Sequence, residues 1–285
     1  MPSTSMPKRP HPTPPKRNAA DAALERATLA LQMGSPGEAQ RLADGVLRAN
    51  RSHSAAALIL GQALLMQNRP LEAIPPLERA ARRSDDPKIE TLLAAALAAG
   101  GRRDEALEQL SKTITKRPPF PPAFREYADQ LAKAGRWDEA IAVAEAGLQL
   151  APDVVELKVD LGRLYLGRND RVRARSLFSE ALAAAPGRRD VQAALARVMV
   201  FDGEYAAAAD IYRHALALQP DDAMTRVDLG MCQLELADRS AGEASLRAAT
   251  RARPEMLGRA RNSLASASHG RFFFRPSAAV KFLGG

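Results

Sequence analysis

The sequence predicts an all-α protein, an α-solenoid of about six to seven helix-turn-helix repeats closed by a C-terminal capping segment. Three observations carry this. Proline recurs at Pro118, Pro152, Pro186, Pro220 and Pro254, a constant 34-residue step. Small residues keep the same step at Ala39, Ala73, Ala106, Ala140, Ala174, Ala208 and Gly242, with one interval of 33. Turn-forming residues fall between the halves of each unit, at Gly34, Asn68, Gly101, Gly135, Asn169 and Gly203.

Each unit reads as two antiparallel helices. The first carries a large apolar residue beside a small one. Leu60, Leu93, Tyr127, Leu161, Leu195 and Leu229 precede Gly61, Ala94, Ala128, Gly162, Ala196 and Gly230, with Ala27 in the earliest unit. There Arg26 stands where a large apolar residue is usual. Glycine or asparagine then ends the helix in the left-handed conformation. The second helix repeats the theme, with Leu77, Leu110, Phe178, Tyr212 and Leu246 as large members and Ala144 as the weak one. Small residues follow at Ala80, Thr113, Gly147, Ala181, Ala215 and Ala249. They let helices approach closely while the large side chains fill the gaps. Proline ends the second helix. In Pro152-Asp153-Val154-Val155-Glu156, Asp153 is the expected cap of the next helix and Glu156 sits near its positive end.

The order of large–small pair, turn, small, large, small and proline resembles the tetratricopeptide repeat over about residues 20–250. The segments AGRWDEAI and GEYAAAADIYRHALALQPDD carry the likeness best. The resemblance implies a right-handed superhelix with the first helix of each unit on its concave surface. It also implies a non-catalytic scaffold or adaptor that receives a partner peptide or helix there. On that geometry the exposed inner positions are Gln62, Arg125, Asp129, Arg163, Arg197 and Met231. Arg163 and Arg197 are equivalent in successive units and suit a carboxylate or acidic peptide. The opposing reading pairs them with Asp129, Asp160 or Asp190 at little net gain. Relatives that clamp the C-terminal carboxylate of heat-shock chaperones use Lys, Asn and Arg on two first helices. The matching positions here hold Thr91, Ala95, Arg125 and Asp129, so that role is disfavoured.

The ends differ from the body. Residues 1–18 contain six prolines and Lys8, Arg9, Lys16 and Arg17 without an acid, a disordered, basic tail by composition. It reads either as a solubilising tail or as an anchor for acidic partners, lipid or nucleic acid. The array spans 19–253, and 254–285 caps it. Pro254 opens a helix to about Ser268, and His269-Gly270-Arg271-Phe272 resembles another repeat turn before a shortened second helix. Phe272, Phe273 and Phe274 either close the end of the core or form an exposed docking anchor.

The net charge is +8, of which 1–18 hold +4 and 251–285 hold +6, leaving the body near neutral at −2. A basic surface is therefore a property of the ends, and binding of nucleic acid or an anionic membrane surface through them is the alternative function. A third reading is an accessory subunit of an enzyme or envelope-polysaccharide apparatus. No run approaches the roughly 18 apolar residues of a membrane span, and no apolar stretch follows the basic N-terminus, so a cytoplasmic location is expected. The Ala- and Arg-rich composition looks bacterial.

Enzyme chemistry finds little support. His11, His53, His214 and His269 are scattered, without metal-ligand spacing. The single cysteine, Cys232, lies inside a first helix and reads as a buried small residue. Neither GxGxxG nor GxxxxGK[ST] occurs. No cofactor, metal or small-molecule substrate is expected.

Overall fold

A computed structural model describes residues 19–272 and 275–284. The basic tail, Phe273 and Phe274 lie outside the described residues, and so do the expectations placed on them. The described residues hold sixteen α-helices, one 3-10 turn and no strand.

Seven hairpins succeed one another. They are α1 (Ala19–Gln32) with α2 (Pro36–Ala49), α3 (Ser54–Met66) with α4 (Pro70–Ala81), α5 (Pro87–Ala99) with α6 (Arg103–Thr113), and α7 (Pro121–Lys133) with α8 (Trp137–Leu150). Then come α9 (Val155–Gly167) with α10 (Arg171–Ala184), α11 (Arg189–Phe201) with α12 (Tyr205–Leu218), and α13 (Ala223–Glu235) with α14 (Arg239–Ala252). A 3-10 turn (Pro254–Met256), α15 (Leu257–Ser266) and α16 (Pro276–Gly284) complete the order. The chain forms two compact units, divided between Gln130 and Leu131 within α7. In the first unit each helix from α1 to α6 packs on the next, and first helices also stack, α1 on α3 and α3 on α5. In the second unit the same holds from α8 to α14, with α9 on α11 and α13 on α15.

The repeat positions are the core. All seven middle small residues are fully or nearly fully buried, as are Leu77, Leu110, Phe178, Tyr212 and Leu246. In the hairpins with a glycine at the small position, it meets the large residue sixteen positions on. A Cβ built on Gly61 would lie 2.8 Å from Leu77, and one on Gly162 would lie 2.7 Å from the Phe178 ring. Gly230 faces Leu246 at 3.0 Å. The small residue is thus the socket for its partner.

All seven hairpin turns place one residue at positive φ, between 57° and 86°: Gly34, Asn68, Gly101, Gly135, Asn169, Gly203 and Ala237. Ala237 is the one that composition does not announce. An alanine Cβ there crowds the backbone, a cost that the four glycine turns avoid and that asparagine offsets through its short polar side chain.

Helix entries vary. Asp86, Asp170, Asp222 and Asp238 cap their helices through side-chain oxygens, and the His53 ring accepts the Ala56 N–H at the start of α3. Asp153 is not a cap. Val154 holds that position for α9, without a side-chain bond, because the helix starts one residue later than the proline spacing indicates. Three second helices begin instead with an arginine gripping the glutamate three residues on. Arg69 holds Glu72, Arg102 holds Glu105 and Arg136 holds Glu139, each through two bonds of 2.6–2.7 Å. The arginine hydrogen bonds keep these three carboxyls below the ordinary range. Helix α4 is unusual in containing Pro75 and Pro76 in its interior.

The C-terminal end is closed by α16. Leu283 is fully buried with Leu246, Ala249 and Leu264, and the Thr250 hydroxyl donates to its carbonyl. The guanidinium groups of Arg247 and Arg271 both lie over the Phe282 ring, at 4.9 and 4.8 Å. Both arginines also reach the nearly buried Glu243. Cation–π contact and ion pairing therefore tie α14, α16 and the loop before it together.

Candidate partner-binding site

The stacking register fixes which side chains the first helices leave outside the core. In the second unit, Arg163 on α9 and Arg197 on α11 are exposed, and Met231 on α13 is half-buried. All three share one register position on successive helices. In the first unit, Gln62 on α3 and Asp129 on α7 are exposed at that position, and Arg125 is half-buried one turn earlier. The six expected positions therefore divide between the two units.

The arginines differ in their surroundings. Arg163 reaches Asp160 at 3.4 Å and Asp190 at 3.5 Å, both long contacts on a half-exposed side chain. Asp190 is held mainly by Arg188, at 2.8 Å, and Arg188 also binds Glu156 at 2.6 Å. The Arg188 hydrogen bond, against the cost of burial, keeps the Asp190 carboxyl below its ordinary range. Arg197 bridges no carboxylate among the described residues. It lies in the field around the Tyr212 hydroxyl, which Asp228 and Arg259 share. Burial, first, and the Asp228 charge raise the Tyr212 phenol well above its usual range. Arg259 in turn binds Asp228 at 2.6 Å, so one arginine of the basic C-terminal stretch is committed to the fold.

Burial pushes the Cys232 thiol up to about 12, with Asp228 adding to the effect. A thiol so placed stays protonated and is a packing residue. Phe272 is 69% exposed, and the capping contacts fall to Phe282 and Leu283 instead.

Sequence reasoning missed the second-helix side. A groove of about 860 Å³ runs between α2 and α4, floored by Leu60 and Leu64 of α3 and edged by Pro75, Pro76 and several arginines. A counterpart of about 510 Å³ lies between α8 and α10, floored by Leu161 and Tyr165. In the latter the charges are satisfied internally. The Tyr165 hydroxyl bonds Glu145, and Arg173 lies 5.1 Å over the Tyr165 ring and donates to its hydroxyl at 3.2 Å. The available signal was the proline pair inside a second helix, together with arginines gathered at the C-terminal ends of α2 and α4.

The described residues contain no group of three or more His, Cys, Asp or Glu side chains arranged to hold a metal ion. No helix among them is long and apolar enough to cross a membrane.

Comparison with known proteins agrees with this architecture. Family models described as tetratricopeptide repeat match residues 24–87 and 91–155, and a further one matches 131–198. The chain is similar to anaphase-promoting complex subunit 7 of Dictyostelium discoideum, 27% identical over 182 residues, 64% of this chain and 26% of that protein. It is also similar to cellulose synthase operon protein C of Pseudomonas fluorescens, 29% identical over 114 residues, 40% of this chain and 9% of that protein. The chain thus spans about a quarter of one relative and less than a tenth of the other. Among solved structures, a thermophilic tetratricopeptide protein of Thermus thermophilus superposes with a TM-score of 0.57 at 21% identity, covering 64% of this chain and all of that one. The matched segments cover more than half of the sequence, and the chain belongs to the tetratricopeptide repeat family.

Proposed function

We propose that this protein is a non-catalytic scaffold that holds a partner protein on its first-helix face, with Arg163, Arg197 and Met231 of the second unit at the centre of contact. Tetratricopeptide proteins generally act as protein-interaction scaffolds. The observation that carries the finer reading is the alignment of two exposed arginines and a methionine at one register position on α9, α11 and α13. Among the described residues Arg197 has no bridging carboxylate to give up, and the long contacts of Arg163 are of the exposed kind worth about 0–1 kcal/mol. An acidic segment of a partner replaces them at little cost. Charge-assisted bonds supply orientation, and Met231 supplies adaptable apolar contact.

The test is affinity purification with the intact chain and with the Arg163→Ala, Arg197→Ala double variant. A partner recovered with the intact chain is expected to be depleted with the variant while the melting midpoint stays the same. Equal recovery from both removes these arginines from the interface.

A second reading, an accessory subunit of a larger apparatus, is favoured by the relatives' names, one a complex subunit and the other a cellulose synthase operon protein. The same purification separates the two. Recovery of the components of one enzyme assembly in fixed proportion supports the subunit role, and a single peptide-bearing partner supports the adaptor.

A further inference from the structure

We propose that the α2–α4 groove of the first unit is a second docking site, built for an extended acidic peptide segment that carries apolar side chains. The floor supplies the apolar half of the match. Leu60 and Leu64 line the base of a groove of about 860 Å³, a size that accommodates several side chains.

The charge supplies the other half. Arg48, Arg51 and Arg79 line the groove and are exposed. Arg48 bonds only the Asp44 carbonyl, at 3.4 Å, and no carboxylate among the described residues bridges any of the three. Two acids line the groove against these three arginines, Asp44 and Glu72, and both act on Arg69 rather than bridging Arg48, Arg51 or Arg79. Glu72 is committed to Arg69 through bonds of 2.6 and 2.7 Å, at the opposite end of the groove, where Gln40, Gln67 and Arg69 also bond one another. The groove therefore runs from a self-satisfied polar end to an arginine end with charge to spare. The α8–α10 groove, whose Glu145 and Arg173 already meet at Tyr165, lacks this surplus.

The backbone adds a third feature. Pro75 and Pro76 have no N–H, so the carbonyls of Leu71 and Glu72 lose their usual helical donors. Glu72 is exposed and lines the groove with Pro75 and Pro76. An extended segment laid along this edge brings an N–H group to the Glu72 carbonyl. A local rule broken at the rim of a charged groove is where function is expected to override helix stability. The aliphatic floor presents no aromatic face for base stacking, which favours a peptide over a nucleic acid.

Fluorescence anisotropy with the full chain and a fluorescein-labelled peptide of repeated Glu-Glu-Leu tests this at physiological salt. Saturable binding is expected, and the Arg48→Ala, Arg51→Ala, Arg79→Ala triple variant should bind about ten-fold more weakly. Arg51→Glu alone, in the loop after α2, should weaken binding in the same direction and leaves the helices untouched. The Arg163→Ala, Arg197→Ala variant should bind the peptide as the intact chain does. No saturable binding, undiminished binding by both groove variants, or competition by oligouridylate equal to that by unlabelled peptide would overturn the assignment.

Discussion

Replacing Gly162 by alanine sets two known effects against each other, and the structure decides between them. In an open helix, Gly→Ala stabilises by about 1 kcal/mol. Here the new methyl group would lie 2.7 Å from the Phe178 ring, about 1 Å inside ordinary carbon contact. Phe178 is fully buried, so its ring has nowhere to retreat. Overpacking of this kind costs about 1–3 kcal/mol, which leaves a net loss of about 1 kcal/mol. In a chain of this size that is a midpoint lowered by about 2–4 °C. A second substitution isolates the cause. The unit holding Ala94 and Leu110 already places alanine and leucine at these two registers, both fully buried. Phe178→Leu alone should lose about 1 kcal/mol to a cavity. The Gly162→Ala, Phe178→Leu pair should lose less than the sum, with a coupling of about 1 kcal/mol. Urea unfolding followed by circular dichroism at 222 nm measures all three. A stabilised Gly162→Ala chain, or strictly additive effects, would refute the socket reading of the small residues.

Three further outcomes concern single sites. Ala237→Gly relieves an alanine held at positive φ, 64°, and should raise stability by about 1 kcal/mol in the same unfolding assay. Asp222→Ala should cost about 1 kcal/mol near neutral pH, because its carboxylate accepts the N–H groups of Met224 and Thr225 and the Thr225 hydroxyl. Burial works against that carboxylate, but these bonds prevail and hold it below its ordinary range, so its contribution is present above about pH 4 and fades as pH falls through the folded value. Melting curves of the two chains should therefore converge in acid, and a constant difference would count against the cap. The Cys232 thiol, pushed up to about 12 by burial and Asp228, should resist a thiol-specific disulfide reagent at pH 8 and react once denaturant unfolds the chain. Because the unfolded thiol ionises above about pH 8.5 while the folded one does not, stability should decline with rising pH beyond that point.

The hairpin register was legible because it rests on volume and backbone conformation, which a sequence states directly. Ala174 or Gly61 is small wherever it stands, and Asn169 tolerates positive φ in any context. The turn at Ala237 was hidden for the same reason, since alanine carries no turn preference and only the 34-residue count marks it. The α9 cap shifted from Asp153 to Val154 because proline marks where a helix ends more sharply than where the next begins. At the C-terminus, three adjacent phenylalanines drew attention, yet exposed Phe272 leaves the closing contacts to Phe282 and Leu283. Those two sit on a short helix whose partners on α14, Arg247 for Phe282 and Leu246 for Leu283, are more than thirty residues away in sequence. The exposed first-helix positions followed from the register. The state of the charges there did not, because pairing depends on which loop side chains turn inward. Arg188 takes most of Asp190 and leaves Arg163 loosely held. The second-helix grooves were marked only by the Pro75–Pro76 pair and the gathered arginines, since their floor is made of first-helix core residues seen from the other side.

Site-specific photocrosslinking tests the scaffold claim most directly. A photoreactive phenylalanine analogue placed at Arg197 or Met231, on the first helices, is compared with one at Arg213, on the exposed side of second helix α12. Proteins bound in cells of the native host should be captured at 197 and 231 and not at 213. Equal capture at all three positions, or capture at 213 alone, would contradict a partner held on the first-helix face.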